Sequence, residues 1–473
     1  MNMTKHYFLL IACIASLFFS CEDNDNSRSS NRSVNRWIYN EMSFVYLWNN
    51  EMTRKPNYDL SPETFFETLL YKRGERTGDR FSWIQENYVD LLNSMQGITP
   101  YDIGFEYVLY SFMAPYDYFC QIAYVKPNTD AERIGLKRGD IFVKVNDVAL
   151  NSTNWRNVFS SSQTTAKITF LDMETGETTE KFVQKMVNYA ENPVFFDNIY
   201  EVGGHKIGYL VYNFFASGVN NEDNSYDREL NEVFGHFKSA GITELVLDLR
   251  YNNGGSMNSA VLLGSMIVPD LNPNNVFVKL EFNAFLQKEL VNEYGEDILI
   301  DKLIDRLETG ETVNNVGNSI QKLYVLTGNW TASASELVIN SLEPYMPGKI
   351  FLIGTNTVGK NVGSISIYEE DNDKNKWGMQ PIILRYFNKE GTADFLNGFV
   401  PDIEEKDRRE KLPLGDPDEV MLSIAINHIT GGNTLRSATV DDRLPLGSSV
   451  EQKAWANKTI VDRSLLKKLN INR

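Results

Sequence analysis

The chain of 473 residues is 42% hydrophobic and 23% charged, which is an ordinary composition for a globular protein. This composition excludes a chain that is mostly disordered or collagen-like. The 63 acidic and 46 basic residues give a formal net charge of −17. Such a surface repels a phosphate backbone and no basic stripe offsets it, so we expect no nucleic-acid partner.

The start of the chain has the pattern of a secretory leader. Lys5 precedes an apolar run over residues 7–19, which is too short for a spanning helix of about 20 residues. The run ends at Ser20-Cys21, and this junction resembles a bacterial lipoprotein signal in which Cys21 becomes the lipidated N-terminus. We expect a signal peptide over residues 1–20 and a lipid anchor in the cell envelope, at the outer membrane. The alternative is an ordinary leader with an incidental cysteine.

Two segments follow the leader. Residues 21–34 are polar and without periodicity, which predicts a flexible tether. Residues 35–97 carry aromatic residues and leucines at helical spacing. Ser61 before Pro62 is typical of a helix start, because serine caps the first turn and proline is tolerated at the first helical position. We expect a small helical domain over residues 35–97.

Residues 100–188 change to the alternating pattern of β-strands. The clearest runs are CQIAYV (120–125), DIFVKVND (140–147) and AKITFLD (166–172). A short helix and two turns separate the first two of these strands. This order, with Gly135-Leu136 and Gly139-Asp140 in the connection, resembles a PDZ domain.

The PDZ resemblance implies a peptide-binding loop at Gly104, Phe105 and Glu106. The glycine would let successive backbone N–H groups converge on the carboxylate of a peptide, and the next strand edge would pair with the peptide backbone. The expected partners are therefore polypeptides with free C-termini. A generic β-domain with a glycine turn is the alternative.

Strands and helices alternate over residues 189–430, which predicts a layered α/β domain. Residues 245–250 are almost wholly apolar, so we expect this strand to be buried on both faces. A helix over residues 226–241 is predicted to end at Gly241. Residues 431–473 show no such pattern and are expected to form a weakly structured tail.

Three turns of the α/β domain carry polar and glycine-rich motifs. They are DLRYNNGG (248–255), GNWTASASE (328–336) and TNTVGK (355–360). Together they resemble the C-terminal processing peptidases, also called tail-specific proteases, which combine a helical segment, a PDZ domain and an α/β core. The resemblance covers about residues 37–430 and includes GFVPDI (398–403). It implies an α+β multidomain fold with a layered, crotonase-like peptidase core.

The resemblance also implies a Ser–Lys catalytic dyad. The nucleophile falls on Ser333 and the general base on Lys360, with Ser335 as the second candidate for the nucleophile. The family often carries a glutamine four residues after the lysine, where this chain has Ser364.

The same resemblance places an oxyanion hole at two turns. The backbone N–H of Ala334 would supply one hydrogen bond, and the N–H of Gly254 or Gly255 the other. Taken singly, the serine motif and the glycine pair each have a simpler structural interpretation. Ser333 with Glu336 fits a helix-capping box, and the two glycines fit a tight turn.

The residue types agree with this chemistry. A serine hydroxyl is a poor nucleophile without a neighbouring base, and no histidine lies in the three motifs. Lysine can act as that base only if its pKa falls from about 10.4 toward neutrality, which requires burial. The apolar residues around Lys360 in the sequence favour such burial.

No metal or other cofactor is expected. The histidines show no ligand spacing. The acidic run over residues 369–376 lacks the glycine and the closing glutamate of a calcium-binding loop, so we expect a solvated hairpin tip there.

We therefore expect a serine endopeptidase that cleaves polypeptides near their C-termini and reads substrate tails with its PDZ-like domain. The main alternative is a catalytically inactive, peptide-binding envelope lipoprotein of the same fold. A trypsin-like PDZ protease would need a histidine and an aspartate ahead of the PDZ region, and the sequence offers no such pair. A glycan-binding surface lipoprotein is suggested only by the anchor and the aromatic residues.

The first test concerns Cys21. Cys21→Ala should move the protein from the membrane fraction to the soluble fraction, because durable anchoring needs the acyl chains attached at that position. Fractionation of cells that express either form measures the change. Retention of the variant in the membrane fraction would contradict the lipoprotein assignment.

Overall fold

The computed structural model describes residues 22–111, 116–220, 222–407, 411–432, 445–453 and 458–460. The leader and Cys21 lie outside these ranges. The helices are α1 (Glu22–Val45), α2 (Pro62–Leu69), α3 (Tyr88–Met95), α4 (Asp130–Arg133), α5 (Ser225–Ala240), α6 (Met257–Ile267), α7 (Ala284–Tyr294), α8 (Ala334–Leu342) and α9 (Val420–Thr430). In the described part of the chain, no helix combines the length and the apolar character needed to cross a bilayer.

The strands are short and distributed over the whole chain. They are β1 (Trp83–Gln85), β2 (Ile98–Asp102), β3 (Phe105–Ser111), β4 (Tyr118–Val125), β5 (Ile141–Val145), β6 (Val148–Ala149), β7 (Thr165–Leu171), β8 (Thr178–Gln184), β9 (Met186–Ala190), β10 (Val194–Val202), β11 (His205–Tyr212), β12 (Glu244–Asp248), β13 (Gly254–Ser256), β14 (Val276–Phe282), β15 (Ile300–Lys302), β16 (Lys322–Thr327), β17 (Ile350–Gly354), β18 (Val362–Ser364), β19 (Ile367–Tyr368), β20 (Gly378–Gln380), β21 (Ile382–Phe387), β22 (Ile403–Glu404), β23 (Gly447–Ser448) and β24 (Lys458–Ile460).

The central sheet has the order β10-β11-β12-β16-β17-β22. Its first pair is antiparallel and the others are parallel. Strand β12 is buried at every position, as its apolar sequence predicts. Because parallel strands end at the same edge of a sheet, the loops after β12, β16 and β17 meet there. Those loops carry the three motifs that the sequence singles out.

A second sheet covers this edge, with the order β13-β24-β18-β21-β14-β15. Strand β13 contains the predicted Gly-Gly turn, and β18 begins two residues after Lys360. Between them runs β24, which pairs with both in the parallel sense.

Helix α1 begins at Glu22, so the predicted flexible tether is helical from that residue onward. The later turns of α1 bury Val34, Ile38 and Met42, which lie four residues apart on one face. This apolar face sustains the helix. A polar composition alone therefore gave the wrong prediction for this segment.

The predicted helical domain over residues 35–97 shares the core of the α/β domain. The buried face of α1 and that of α2 belong to the same hydrophobic cluster as α5, α6 and α8. Strand β1 also pairs with β20, through Trp83 and Gln380 among others. The segment is therefore one layer of the larger core.

Residues 100–188 form mainly a β-sheet of order β23-β3-β4-β5-β7-β8, with β6 beside β5 and the short helix α4 after β4. The predicted strand runs correspond to β4, β5 and β7. Strand β23 comes from beyond residue 431, as does β24. The prediction of a weakly structured tail over residues 431–473 is therefore wrong for its described part. Strands of two or three residues give no local pattern, because distant partners determine them.

Candidate active site

Ser333 lies in the loop that connects β16 to α8 and caps the start of that helix. Its side chain is buried and its backbone has φ 63° and ψ −114°. For a residue with a side chain this conformation costs about 1–3 kcal/mol and persists only where the surroundings enforce it. The loop is enforced by Thr331, whose hydroxyl donates to the Leu249 carbonyl at 2.7 Å and accepts from the Gly328 N–H at 2.8 Å.

The Glu336 carboxylate joins the two halves of the predicted dyad. Its Oε2 accepts from the backbone N–H of Ser333 and from that of Lys360, each at 2.8 Å. Its Oε1 accepts from the Gly359 N–H at 2.6 Å and from the Thr357 hydroxyl at 2.5 Å. One buried side chain therefore positions both the turn at Ser333 and the loop over residues 357–360.

Tyr386 on β21 forms a second bridge. Its hydroxyl lies 3.2 Å from the carbonyl oxygen of Ser333 and donates to the carbonyl oxygen of Lys360. The amides of the two residues thus share one partner and their carbonyls share another. The structure therefore brings the main chains of Ser333 and Lys360 together, although neither Glu336 nor Tyr386 was assigned this role from the sequence.

Lys360 is fully buried, as its apolar neighbours in the sequence predict. Its ammonium nitrogen lies 5.0 Å from the centre of the Phe81 ring, and Arg80 donates to the Gly359 carbonyl at 2.7 Å. Burial lowers the pKa of Lys360 well below its ordinary value, while the carboxylates of Asp79 and Glu336 oppose this shift and Arg80 adds to it. The N-terminal layer thus supplies part of the dry environment that a neutral lysine requires.

Burial acts in the opposite direction on Glu336 and raises its pKa to about 7. The four donors around it oppose that rise, since each of them favours the charged carboxylate. A carboxylate oxygen only accepts hydrogen bonds, so the observed set of donors fits the ionised form.

The predicted oxyanion donors lie at two different turns. Ala334 is the first residue of α8, where a backbone N–H has no acceptor within its own helix. The N–H of Gly254 donates to the side-chain oxygen of Asn252 at 2.9 Å. The Gly254 carbonyl and the Ser256 N–H both bond to Phe215.

Successive residues of a strand present their backbone groups to opposite edges. Because Gly254 and Ser256 use the edge beside Phe215, the N–H of Gly255 points to the other edge, toward β24. A Cβ at Gly255 would lie 2.1 Å from the Phe215 carbonyl oxygen, so only glycine fits this close approach. Of the two glycines predicted as oxyanion donors, Gly255 is therefore the remaining candidate, because the Gly254 N–H already donates to Asn252.

Ser335, the second candidate for the nucleophile, lies in the first turn of α8. It is buried, and its hydroxyl donates to the Asn252 carbonyl at 3.1 Å. Ser364, at the position where the family often has glutamine, is buried in β18. Its backbone pairs with Ile382 on one side and Ile460 on the other.

Asp248 and Arg250 form a buried ion pair. The Arg250 guanidinium contacts Asp248 at 2.8 Å and Glu419 at 2.6 Å. Glu419 in turn caps α9 by accepting from the N–H groups of Met421 and Leu422. These charges fix the start of α9 to the end of β12.

The predicted peptide-binding loop already binds a carboxylate of the protein itself, the side chain of Asp102. The Gly104 N–H donates to Asp102 at 2.7 Å, and Phe105 is buried in β3. Glu106 pairs with Lys126 at 2.8 Å and with Lys453 at 3.1 Å. Capture of a peptide carboxylate by this loop stays a prediction, and it would place one more negative charge beside buried acidic groups.

The acidic run over residues 369–376 lies at the tip between β19 and β20, which pair as an antiparallel hairpin. Within the described ranges, no group of three or more His, Cys, Asp and Glu side chains is placed to hold a metal ion. Cys120 is a free, buried cysteine of the β-domain.

Two family models match the chain. The model of peptidase family S41 matches residues 206–405, and that of the peptidase S41 N-terminal domain matches residues 33–83. The chain therefore belongs to peptidase family S41, the family of C-terminal processing or tail-specific proteases.

Known proteins of this family share moderate identity with the chain. It is 26% identical over 175 residues to a carboxyl-terminal-processing protease of Picosynechococcus, a match that spans 37% of this chain and 33% of the relative. It is also 26% identical over 165 residues to the tail-specific protease of Haemophilus influenzae, spanning 34% of this chain and 20% of that protein. The chain thus matches a third or less of the length of either relative.

A solved structure from Bacteroides fragilis, assigned to the S41 proteases, covers 84% of this chain and 97% of its own. It superposes with a TM-score of 0.66 at 26% identity. The mixed α/β fold with an N-terminal domain is therefore that of the S41 peptidases.

The shared carboxylate gives a stability test. Glu336→Gln should lower the free energy of unfolding by about 1–3 kcal/mol, because an amide nitrogen would face N–H donors that now bind oxygen. Urea unfolding measures the change. Glu343→Gln is the matched control, since Glu343 is exposed at the end of the same helix. Equal losses for the two variants would contradict the role assigned to Glu336.

Proposed function

We propose that the protein is a serine endopeptidase with Ser333 as nucleophile and Lys360 as general base. The observation that carries this proposal is the Glu336 carboxylate, which accepts from the backbone N–H of both residues. The lowered pKa of the buried lysine supports the same roles. The assignment as a peptidase rests on the family, and the assignment of the Ser–Lys dyad rests on this geometry.

The proposed reaction begins with a neutral Lys360. Its amine removes the proton of the Ser333 hydroxyl while Oγ attacks the carbonyl carbon of the scissile bond. The N–H groups of Ala334 and Gly255 stabilise the negative charge that develops on the carbonyl oxygen. The protonated lysine then donates to the leaving amine, and a water molecule, deprotonated by the same lysine, hydrolyses the acyl-enzyme.

The substrates are proposed to be extended polypeptides. In the PDZ-like domain β3 pairs with β4 on one side and with β23 on the other, so a peptide backbone could add at β3 only in place of β23. Recognition through backbone hydrogen bonds tolerates many side chains. Cleavage near C-termini, which the sequence predicts, would require this domain to bind a free carboxylate, and the hydrogen bond from the Gly104 N–H to Asp102 argues against such binding.

The proposed location is the cell envelope, with Cys21 as the lipid-bearing residue. This part of the proposal rests on the sequence of residues 1–21 alone. A lipid anchor would give the enzyme membrane contact without a spanning helix.

The dyad can be tested with a fluorophosphonate probe and a casein-derived peptide. Ser333→Ala should abolish both labelling and hydrolysis, whereas Ser335→Ala should retain labelling. Lys360→Arg should be inactive, because arginine stays protonated near neutral pH. Wild-type activity should rise with pH and level off below about pH 10.4, since the lysine must lose its proton and burial lowers its pKa.

The opposite labelling result for the two serines would move the nucleophile to Ser335. Labelling without any hydrolysis would favour the alternative of an inactive peptide-binding relative. Unfolding curves for every variant distinguish loss of chemistry from loss of fold.

The tail-reading role has its own test. Because the Gly104 N–H already binds Asp102, we expect peptides with a free C-terminus and their C-amidated versions to be cleaved at rates within about twofold of each other, well under the tenfold that 1.4 kcal/mol represents. Competition between the two peptides in one reaction, followed by mass spectrometry, measures the ratio. A large advantage for the free acid would contradict this expectation and restore the predicted carboxylate capture.

A further inference from the structure

A late part of the chain lies along both surfaces that a peptide substrate would use. We call residues 445–453 and 458–460 the return segment. In its first part, β23 pairs with β3 in the antiparallel sense, with Gly447 opposite Leu109 and Ser448 opposite Val108. The Leu446 N–H donates to the Leu109 carbonyl at 2.9 Å. The edge of β3 that would receive a peptide is therefore already paired.

Side chains anchor this first part. The Lys453 ammonium lies 2.7 Å from Glu191 and 3.1 Å from Glu106. The same buried cluster holds Asp102 and Lys126. Without Lys453, three buried carboxylates would share one lysine, so withdrawal of this part is costly.

The segment then crosses the loops of the candidate active site. Glu451 accepts from the indole N–H of Trp330, in the loop that leads to Ser333. The Val450 carbonyl accepts from the side-chain amide of Asn253 at 2.7 Å. Asn253 directly precedes Gly254, so the segment contacts two of the three motif loops.

In its last part, the return segment fills a slot between two strands. The register places Lys458 beside Gly254, Thr459 beside Gly255 and Ile460 beside both Ser256 and Ser364. In the described sheet β13 and β18 do not pair with each other and are connected only through β24. Without β24 they would enclose a gap two strand spacings wide, about 9–10 Å, with backbone donors and acceptors on both sides.

This slot is the place where the Gly255 N–H points. An extended peptide in the slot would pair with both edges through its backbone, whatever its side chains. Residues 458–460 therefore hold the position that the scissile region of a substrate needs in the proposed reaction.

We propose that residues 458–460 are a built-in competitor of polypeptide substrates, held at the active site by the anchored residues 445–453. The inference rests on the proposed function, since it assigns a regulatory role at the same site. The short connection between the two parts gives residues 458–460 an effective concentration in the millimolar range. Substrate binds when this strand leaves the slot, while the anchored part stays on β3.

The test is a chain that stops after Lys453, which keeps the anchored part and removes the strand. We expect KM for a peptide substrate to fall at least about tenfold with kcat little changed, because the strand competes with substrate. Fluorophosphonate labelling of Ser333 should accelerate in parallel. Equal KM and equal labelling for the shortened and full chains would overturn the proposal.

A second variant, in the full-length chain, tests the proposal independently of whether the shortened chain folds. Thr459→Pro in the full chain removes one backbone N–H from a strand that pairs on both sides, and it should lower KM in the same direction. Thr459→Ala keeps that N–H and is the matched control, with KM near that of the wild type. A Thr459→Pro variant that keeps the wild-type KM would also contradict the proposal.

Binding without turnover separates this proposal from the proposed function. A fluorescein-labelled peptide of residues 454–464 should bind the shortened chain carrying Ser333→Ala, but bind the full-length Ser333→Ala chain at least about tenfold more weakly. The same peptide with an N-methyl group on Thr459 should bind poorly to both. Tighter binding to the shortened Ser333→Ala chain than to the full-length one, together with no hydrolysis by the wild-type chain, would support the inference and refute the peptidase assignment. Equal binding to both chains would refute the inference alone.

Discussion

The active-site geometry depends on one carboxylate. Glu336 lies in the first turn of α8 and accepts from the backbone N–H of both Ser333 and Lys360. The serine belongs to the loop after β16 and the lysine to the loop after β17, so two separate connections must reach the same buried charge. The carboxylate can remain there because four donors replace the water that it loses on burial. Glu336 thus holds both residues by their main-chain atoms.

The layers around Glu336 contribute two further features, which are the exclusion of water from Lys360 and the contacts between the β-domain and the core. The N-terminal helices deliver Arg80 and Phe81 to the lysine loop, which keeps water away from the amine. On the other side, Arg138 of the β-domain contacts both Tyr251 and Asp407 of the core. Buried ion pairs of this kind add little net stability but leave few alternative arrangements. These buried contacts join the β-domain to the core.

The sequence predicted those parts of the molecule that local patterns determine. The apolar run at 245–250 became the buried strand β12, the helix before Gly241 ended there, and the burial of Lys360 followed from its neighbours. Three features escaped prediction because residues far apart in the chain create them. The helix at 22–34 depends on a buried face further along, β23 and β24 exist only through their partners, and the Gly104 amide is occupied by a carboxylate of the preceding strand. The motifs indicated candidate residues for the chemistry, while the residues that contact those candidates, such as Tyr386, required the tertiary structure.

The left-handed backbone at Ser333 sets a limit on how stable this protein can become while it remains active. Glycine adopts such a conformation without strain, so Ser333→Gly would relieve the strain and remove the hydroxyl in the same step. A selection for thermal tolerance alone would reward that change. Directed evolution of this scaffold therefore needs an activity screen in every round, because one route to a higher melting temperature replaces the proposed nucleophile.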